Sequence, residues 1–446
     1  MNNFITFLRK KKATNSLLEL FLIISPLVDL ITGLSVRLLE IEFTLGILLR
    51  SLLMLFLIYY VLFKSDSKYK KISVFLLGFI AIYSAFFLFN NIYLKGYSVF
   101  LEEFKTLFKG FYFPICLIAI VNYLDSKKRK FDDTIFIKVA FIYSFFILIP
   151  FVLNLDFSSY GNGKLGTIGW FYSANELGAI LVLFTPFIME KIINFKYKNK
   201  IYAYILFAIF SFLMLQIGTK VPLLGIAFTI FTILFIMIID LTLWKRIDYL
   251  KKYLMPIILM FVITSFMFSI SPLASNIGIN TIWNSGSEKN NNIDPSKKPD
   301  LNKIIYSSRD IFKNQVHNQW ISSKFIQQSF GLGYVNYNTK QNSREKLVEM
   351  DYYDIFYIFG VVGFIIYFAP LILVCYGITN YFIRNFKKNF MDNDITIYIM
   401  SILLGLGMAY FSGHILMAPA VSFYLTVILS SLLLKLKKQS ELETIN

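Results

Sequence analysis

The sequence predicts an all-α integral membrane protein with about twelve transmembrane helices and one large extracytoplasmic loop containing short helices. Three observations carry that prediction. Hydrophobic residues make up 57% of the 446 residues and charged residues 16%, against about 25% charged in a soluble domain, and mean hydropathy is +0.62. Apolar windows of bilayer length recur along the chain, separated by short basic links. A polar segment, 272–350, interrupts them late, and a loop longer than about fifteen residues usually carries function or disorder.

Windows of about 17 to 25 residues fall at 17–36, 43–63, 72–94, 107–124, 135–153, 173–190, 201–218, 221–240, 253–271, 351–376, 395–412 and 416–434. The continuous run 201–240 is too long for one crossing, and Gly218-Thr219-Lys220-Val221-Pro222 marks a tight hairpin inside it. The chain therefore divides into nine spans in 1–271, the loop 272–350, and three spans with a cytoplasmic tail in 351–446.

A net charge of +17 would suggest nucleic acid in a soluble protein. Here the positions of the charges explain it differently. With both termini cytoplasmic, the inner links hold Arg9 to Lys12, Lys64 to Lys71, Lys127 to Lys130, Lys191 to Lys200, Lys245 to Lys252, Arg384 to Lys388 and Lys435 to Lys438, more than half of the 44 Lys and Arg. The short outer links hold only Arg37, Lys95, Lys105, Lys109, Lys164 and Lys220, so the positive-inside rule orients the bundle and no nucleic-acid partner is expected. Cys116 and Cys375 both lie in apolar runs, which excludes a disulfide framework or a thiolate metal cluster. The first apolar run is long, lacks a small-residue cleavage site and is read as an uncleaved helix.

Charged groups at bilayer depth cost at least about 2.5 to 3.5 kcal/mol each and usually face a bundle interior. Asp29 in the first span and Arg50 in the second fit either a mutual ion pair or a substrate role, since a guanidinium offers bidentate geometry to phosphate. At the outer end of the fourth span, Glu102, Lys105 and Lys109 share one helical stripe beside Glu103, as in an interfacial amphipathic segment or a diphosphate contact. The link from Gly161 to Glu176 is glycine-rich and ends in Ser173-Ala-Asn175-Glu176, which opens a helix and exposes N–H groups where an anion is welcome. A turn with an N-cap explains it nearly as well. In the loop, 286–300 reads as a flexible tip, and 307–329 as an amphipathic helix at the membrane mouth, capped by Ser307 or Ser308 and ended by Gly331-Leu-Gly333. No P-loop, HExxH or DxD motif occurs, which weighs against an ATP-driven pump and a metal-dependent nucleotide-sugar transferase.

In order, these pieces resemble the O-antigen ligase and polymerase superfamily of bacterial membrane glycosyltransferases. The resemblance lies in Gly166-Thr167-Ile-Gly169 followed by Asn175-Glu-Leu-Gly178, in Gly218-Thr219-Lys220 between two helices with Lys in place of Arg, and in a large external loop with Arg309 and Gly331-Leu-Gly333. It closes on Gly360-Val-Val-Gly363. Counting back from there, the family's usual histidine position holds Glu349.

The resemblance implies a multi-pass enzyme of the bacterial cytoplasmic membrane, with its active site outside and no cofactor or metal. The implied donor is a glycan on undecaprenyl diphosphate and the implied acceptor a sugar hydroxyl, with the bilayer and a chain-length regulator as further partners. Cations placed on the departing diphosphate stabilise the transition state, and Arg50, Lys109, Lys220, Arg309 and Arg344 are the candidates. The hydroxyl needs a general base, for which Glu349 or Asp351 is best placed, although acids there also suit a helix cap. Asp29, Asn175 and the chain's two histidines, His317 and His414, are possible substrate contacts. Polymerisation of lipid-linked repeats is the leading expectation, with ligation of a finished glycan as its neighbour. A lipid-linked oligosaccharide flippase is the rival from another class, but its charges would line a central cavity between symmetric halves.

Overall fold

The computed structural model describes residues 17–41, 44–127, 132–160, 164–194, 200–245, 247–277, 309–335 and 348–443. Among the described residues the chain is helical, with one isolated antiparallel bridge, Ser158 to Thr167. The helices are α1 (Leu17–Leu39), α2 (Leu45–Tyr59, extended by a π-turn Tyr60–Lys64), α3 (Lys70–Lys95), α4 (Phe100–Gly110), α5 (Tyr112–Lys127) and α6 (Thr134–Leu153). There follow α7 (Ala174–Asn194), α8 (Lys200–Gln216), α9 (Lys220–Trp244), α10 (Ile247–Ser269) and the short α11 (Pro272–Asn276). The polar loop contributes α12 (Arg309–Ser322) and α13 (Phe325–Phe330), and the chain ends in α14 (Asp351–Arg384), α15 (Phe386–Met391), α16 (Asn393–Phe411) and α17 (Pro419–Glu443).

Ten helical stretches are long and apolar enough to cross a membrane. The expected windows 173–190 and 201–218 also fold as helices, α7 and the 17-residue α8, outside those ten. The fourth window departs from expectation. An amphipathic α4 precedes α5, and the chain turns between them at Phe111. The single loop helix expected over 307–329 is two helices broken at Ser323, and Ser307, Ser308 and the tip 286–300 lie outside the described residues.

Every residue of α5 from Tyr112 to Leu124 is buried, and so is α7 from Leu177 to Met189. Together with α17 these form the centre, which is why they are apolar on all sides rather than along one stripe. Peripheral helices turn large side chains outward, Phe89 on α3, Phe231 on α9 and Met255 on α10 among them, as lipid-facing surfaces require. Some polar groups inside are paired within the bundle: the Asn122 amide donates to Ser73 Oγ (2.6 Å) and to the Ile118 carbonyl (2.8 Å).

The connecting segments sort onto two faces, as the expected alternation demands. On one, Lys437 meets Asp125 at 2.5 Å, Lys435 meets Asp394 at 2.8 Å, and Asn393 donates to Tyr253. The other, the loop face, gathers the links that follow α1, α6, α8 and α10 together with α12 and α13.

Helix α14 is two helical pieces that meet at Gly360, whose φ of 68° breaks the ladder. The carbonyls of Tyr357 and Ile358 then accept from Leu332 N–H and Gly333 N–H, each at 3.0 Å, so the loop after α13 docks onto opened backbone. A Cβ on Gly331 or Gly360 would overlap the other strand's backbone, which explains both glycines of this contact. Glu103 locks the far side: its carboxylate accepts from Lys95 Nζ (2.7 Å), Tyr334 N–H (2.9 Å) and Val335 N–H (3.0 Å).

Candidate active site on the loop face

Past Leu153 the chain folds back on itself as a narrow hairpin, with Phe157 N–H donating to the Gly169 carbonyl (2.7 Å) and Ser159 N–H to Gly166 (3.0 Å). The carboxamide of Asn276, at the end of α11, ties this hairpin to the α8–α9 turn: it accepts from Leu165 N–H (2.9 Å) and donates to the carbonyls of Leu165 (2.7 Å) and Gly218 (3.0 Å). Thr167 N–H adds a bond to the Gln216 carbonyl at 2.8 Å. Gly166 and Gly218 both have positive φ, and a Cβ on either would overlap the opposing backbone. Two motifs fifty residues apart in the chain thus form one surface.

That surface is cationic. Lys220 lies within electrostatic range of Lys164 and of Arg309, the first residue of α12. Arg309 donates from Nη2 to Glu349 Oε2 at 3.1 Å, while its buried Nε has no hydrogen-bond partner among the described residues. Tyr160 stands beside them, its hydroxyl donating to the Gly218 carbonyl at 3.4 Å. Burial pushes the Tyr160 phenol above its ordinary value, and the Arg309 charge opposes that rise.

Glu349 is held in the left-handed region, φ 63°, by its neighbours. The buried Asp354 carboxylate accepts from Val348 N–H (2.9 Å) and Met350 N–H (3.2 Å), and Gly413 packs against the Glu349 carbonyl. The acid is two-thirds buried with the remainder open, side-chain exposure being 34%. Asp351 is different. Both of its oxygens are taken by backbone N–H groups of His414 (2.9 Å), Ile415 (2.8 Å) and Leu416 (2.7 Å), and its residue exposure is 3%. With its oxygens so engaged, Asp351 ties down the segment before α17, and of the two expected bases Glu349 is the more open.

Next to Tyr160 opens a cleft of about 720 Å³, walled by Arg37, Phe157, Ser159, Tyr172 and Asn175. Of the expected residues, the structure therefore brings Glu349, Arg309, Lys220 and Asn175 to one neighbourhood. Asp29 and Arg50 instead pair with each other, Tyr143 donates to Asp29 at 2.5 Å, and Phe171 packs on Tyr143 at 5.2 Å. Asp29 lies eight residues before Arg37 on α1, about 12 Å along the axis. Lys109 is exposed on α4, and no contact among the described residues joins it to Arg309. His317 bonds Tyr357 through Nδ1 at 3.2 Å and stacks on Trp320, holding α12 to α14, while His414 enters through its backbone N–H. Arg344 lies outside the described residues.

A family model described as O-antigen ligase like membrane protein matches residues 11–439. The chain belongs to that family. This O-antigen ligase-like protein is therefore a multi-pass membrane protein of the glycosyltransferase type that ligates or polymerises membrane-borne glycans. No curated protein and no solved structure matches it. With the family shown, the flippase alternative has no separate support.

Lys164, Tyr160, Arg37 and Asp354 escaped the sequence reading. Lys164 and Arg37 looked like ordinary outer-link charges, and only contacts across more than a hundred residues reveal Arg37 beside Ser158 and Tyr172. A signal for Asp354 was present: an acid in the first turn of a helix suits capping of the residues just before it.

Proposed function

We propose that this protein polymerises undecaprenyl-diphosphate-linked oligosaccharide repeats into a surface polysaccharide at the extracytoplasmic side of the cytoplasmic membrane. The observation that carries the reading is the Arg309–Glu349 pair set beside Lys220 and Lys164. Arg309, Lys220 and Lys164 hold the donor diphosphate. A hydroxyl oxygen of the acceptor sugar attacks the anomeric carbon, its proton passing to the Glu349 carboxylate as the new glycosidic bond forms. The bond from the anomeric carbon to the phosphate oxygen breaks, and undecaprenyl diphosphate departs with the electron pair, its charge met by the cations. The resting ion pair fits this sequence. An arriving diphosphate competes for the guanidinium, which has Nε–H and further donors to offer, and Glu349 is released as a base. Ligation to a different acceptor would use the same steps.

The test is the purified full-length protein in lipid nanodiscs, given lipid-diphosphate-linked repeats alone. A ladder of longer lipid-linked chains, with one undecaprenyl diphosphate released per linkage, is expected. Release of a single glycan only after a foreign acceptor is added would make it a ligase. No bond formation under either condition would overturn the reading.

A further inference from the structure

We propose that the cleft under Arg37 is the acceptor-sugar subsite and that it selects a sugar bearing an anionic group, a ring carboxylate or a phosphate. The assignment rests on the reading of the Arg309 group as the donor-diphosphate site. The cleft is an open groove of about 720 Å³. Its walls suit a pyranose. Phe157, Tyr160 and Tyr172 line it with aromatic rings, the kind of wall on which the C–H face of a sugar packs, and each ring also has a cation over it: Arg37 at 5.2 Å from Phe157 and 6.0 Å from Tyr172, Lys164 at 5.3 Å from Tyr160. Asn175 adds a carboxamide to the lining, so the rim can meet hydroxyls. Among the described residues, no aliphatic side chain larger than alanine lines the cleft, which leaves an acyl chain little to pack on there.

Arg37 supplies the charge preference. Its Nη1 and Nη2 donate to the carbonyls of Ser158 (3.3 Å) and Tyr172 (3.1 Å), and its guanidinium lies 5.2 Å from the Phe157 ring centre. Those contacts fix its direction without neutralising it. Among the described residues it has no carboxylate partner, and three of its five N–H donors remain for a ligand. Tyr160 joins the two sites: it walls the cleft and feels the Arg309 charge, so a sugar held there would present a hydroxyl toward the Glu349 side.

Binding to the full-length protein in nanodiscs, measured calorimetrically, tests this with three probes. They are neutral N-acetylchitotetraose, the same sugar carrying one phosphate, and a tetrasaccharide alternating glucuronic acid with N-acetylglucosamine. At least one anionic probe should bind about tenfold tighter than the neutral one, and the better of the two names the anion. Arg37→Gln should erase the preference while Arg37→Lys keeps it, which separates lost charge from lost folding. Tyr172→Leu should weaken all three probes. Equal binding of the three, or a preference that survives Arg37→Gln, overturns the proposal. Arg309→Ala should abolish glycan transfer yet leave probe affinity within about twofold; loss of probe binding there would move the anion to the donor site and overturn it too. A wild-type protein that binds the anionic probe through Arg37 but transfers nothing would sink the catalytic reading and leave this subsite standing.

Discussion

Glu103 and Glu349 each meet a cation at the loop face, and the two pairs are built oppositely. The Lys95 and Glu103 side chains are 3% and 0% exposed, and the carboxylate also accepts from Tyr334 and Val335 while Lys95 Nζ donates to the Leu332 carbonyl. Those bonds tie the loop in place. The Arg309 and Glu349 side chains are 15% and 34% exposed, joined by one 3.1 Å hydrogen bond, with a guanidinium N–H left over. A buried, fully satisfied ion pair is hard to rearrange because either charge alone would be stranded. A half-open pair can exchange partners, which a donor-binding site needs.

The largest expected effect is on folding. Glu103→Ala strands Lys95 and two backbone N–H groups, and should cost about 3 to 5 kcal/mol, read as a collapse of the thermal unfolding temperature in detergent. An unchanged temperature would erase the contrast. Glu349→Gln should keep that temperature and the hydrogen bond from Arg309, yet lower kcat about 10²- to 10⁴-fold in the chain-extension assay. Full activity in this variant removes the base.

Asp351→Asn sharpens the comparison from the other acid. Because three N–H groups lose part of their acceptor, stability should fall by about 1 to 3 kcal/mol, visible as a lower unfolding temperature. The folded fraction should retain a kcat far above that of Glu349→Gln; a loss as deep as that variant's would return the base to Asp351. Smallest of all, Lys109→Ala should leave stability within about 0.5 kcal/mol and chain extension unaltered. A marked rise in donor KM would place Lys109 on the diphosphate after all.

Much of this was legible in the sequence because membrane insertion reads local composition. Apolar runs and the Gly218-to-Pro222 hairpin lie within short windows, and they appear as helices and a turn, except that the fourth window breaks into α4 and α5. The glycine pairs were legible as punctuation, although not as the two backbone contacts they make. Lys105 and Glu102 do pair on the α4 stripe at 3.1 Å, but their neighbour Glu103 turns inward, and nothing in its own helix announces a partner in Tyr334.

By itself the sequence determined a polytopic helical protein of this family's kind and a short set of polar residues to weigh as site candidates. Tertiary structure alone decided which of those residues share a site. Glu349 meets Arg309 across forty positions, Asp351 is consumed by backbone sixty positions on, and Arg50 is answered by Asp29. The physical reason is range. Hydropathy and capping act over a few residues, whereas the partner that satisfies or frees a charge is chosen by packing between helices distant in the chain.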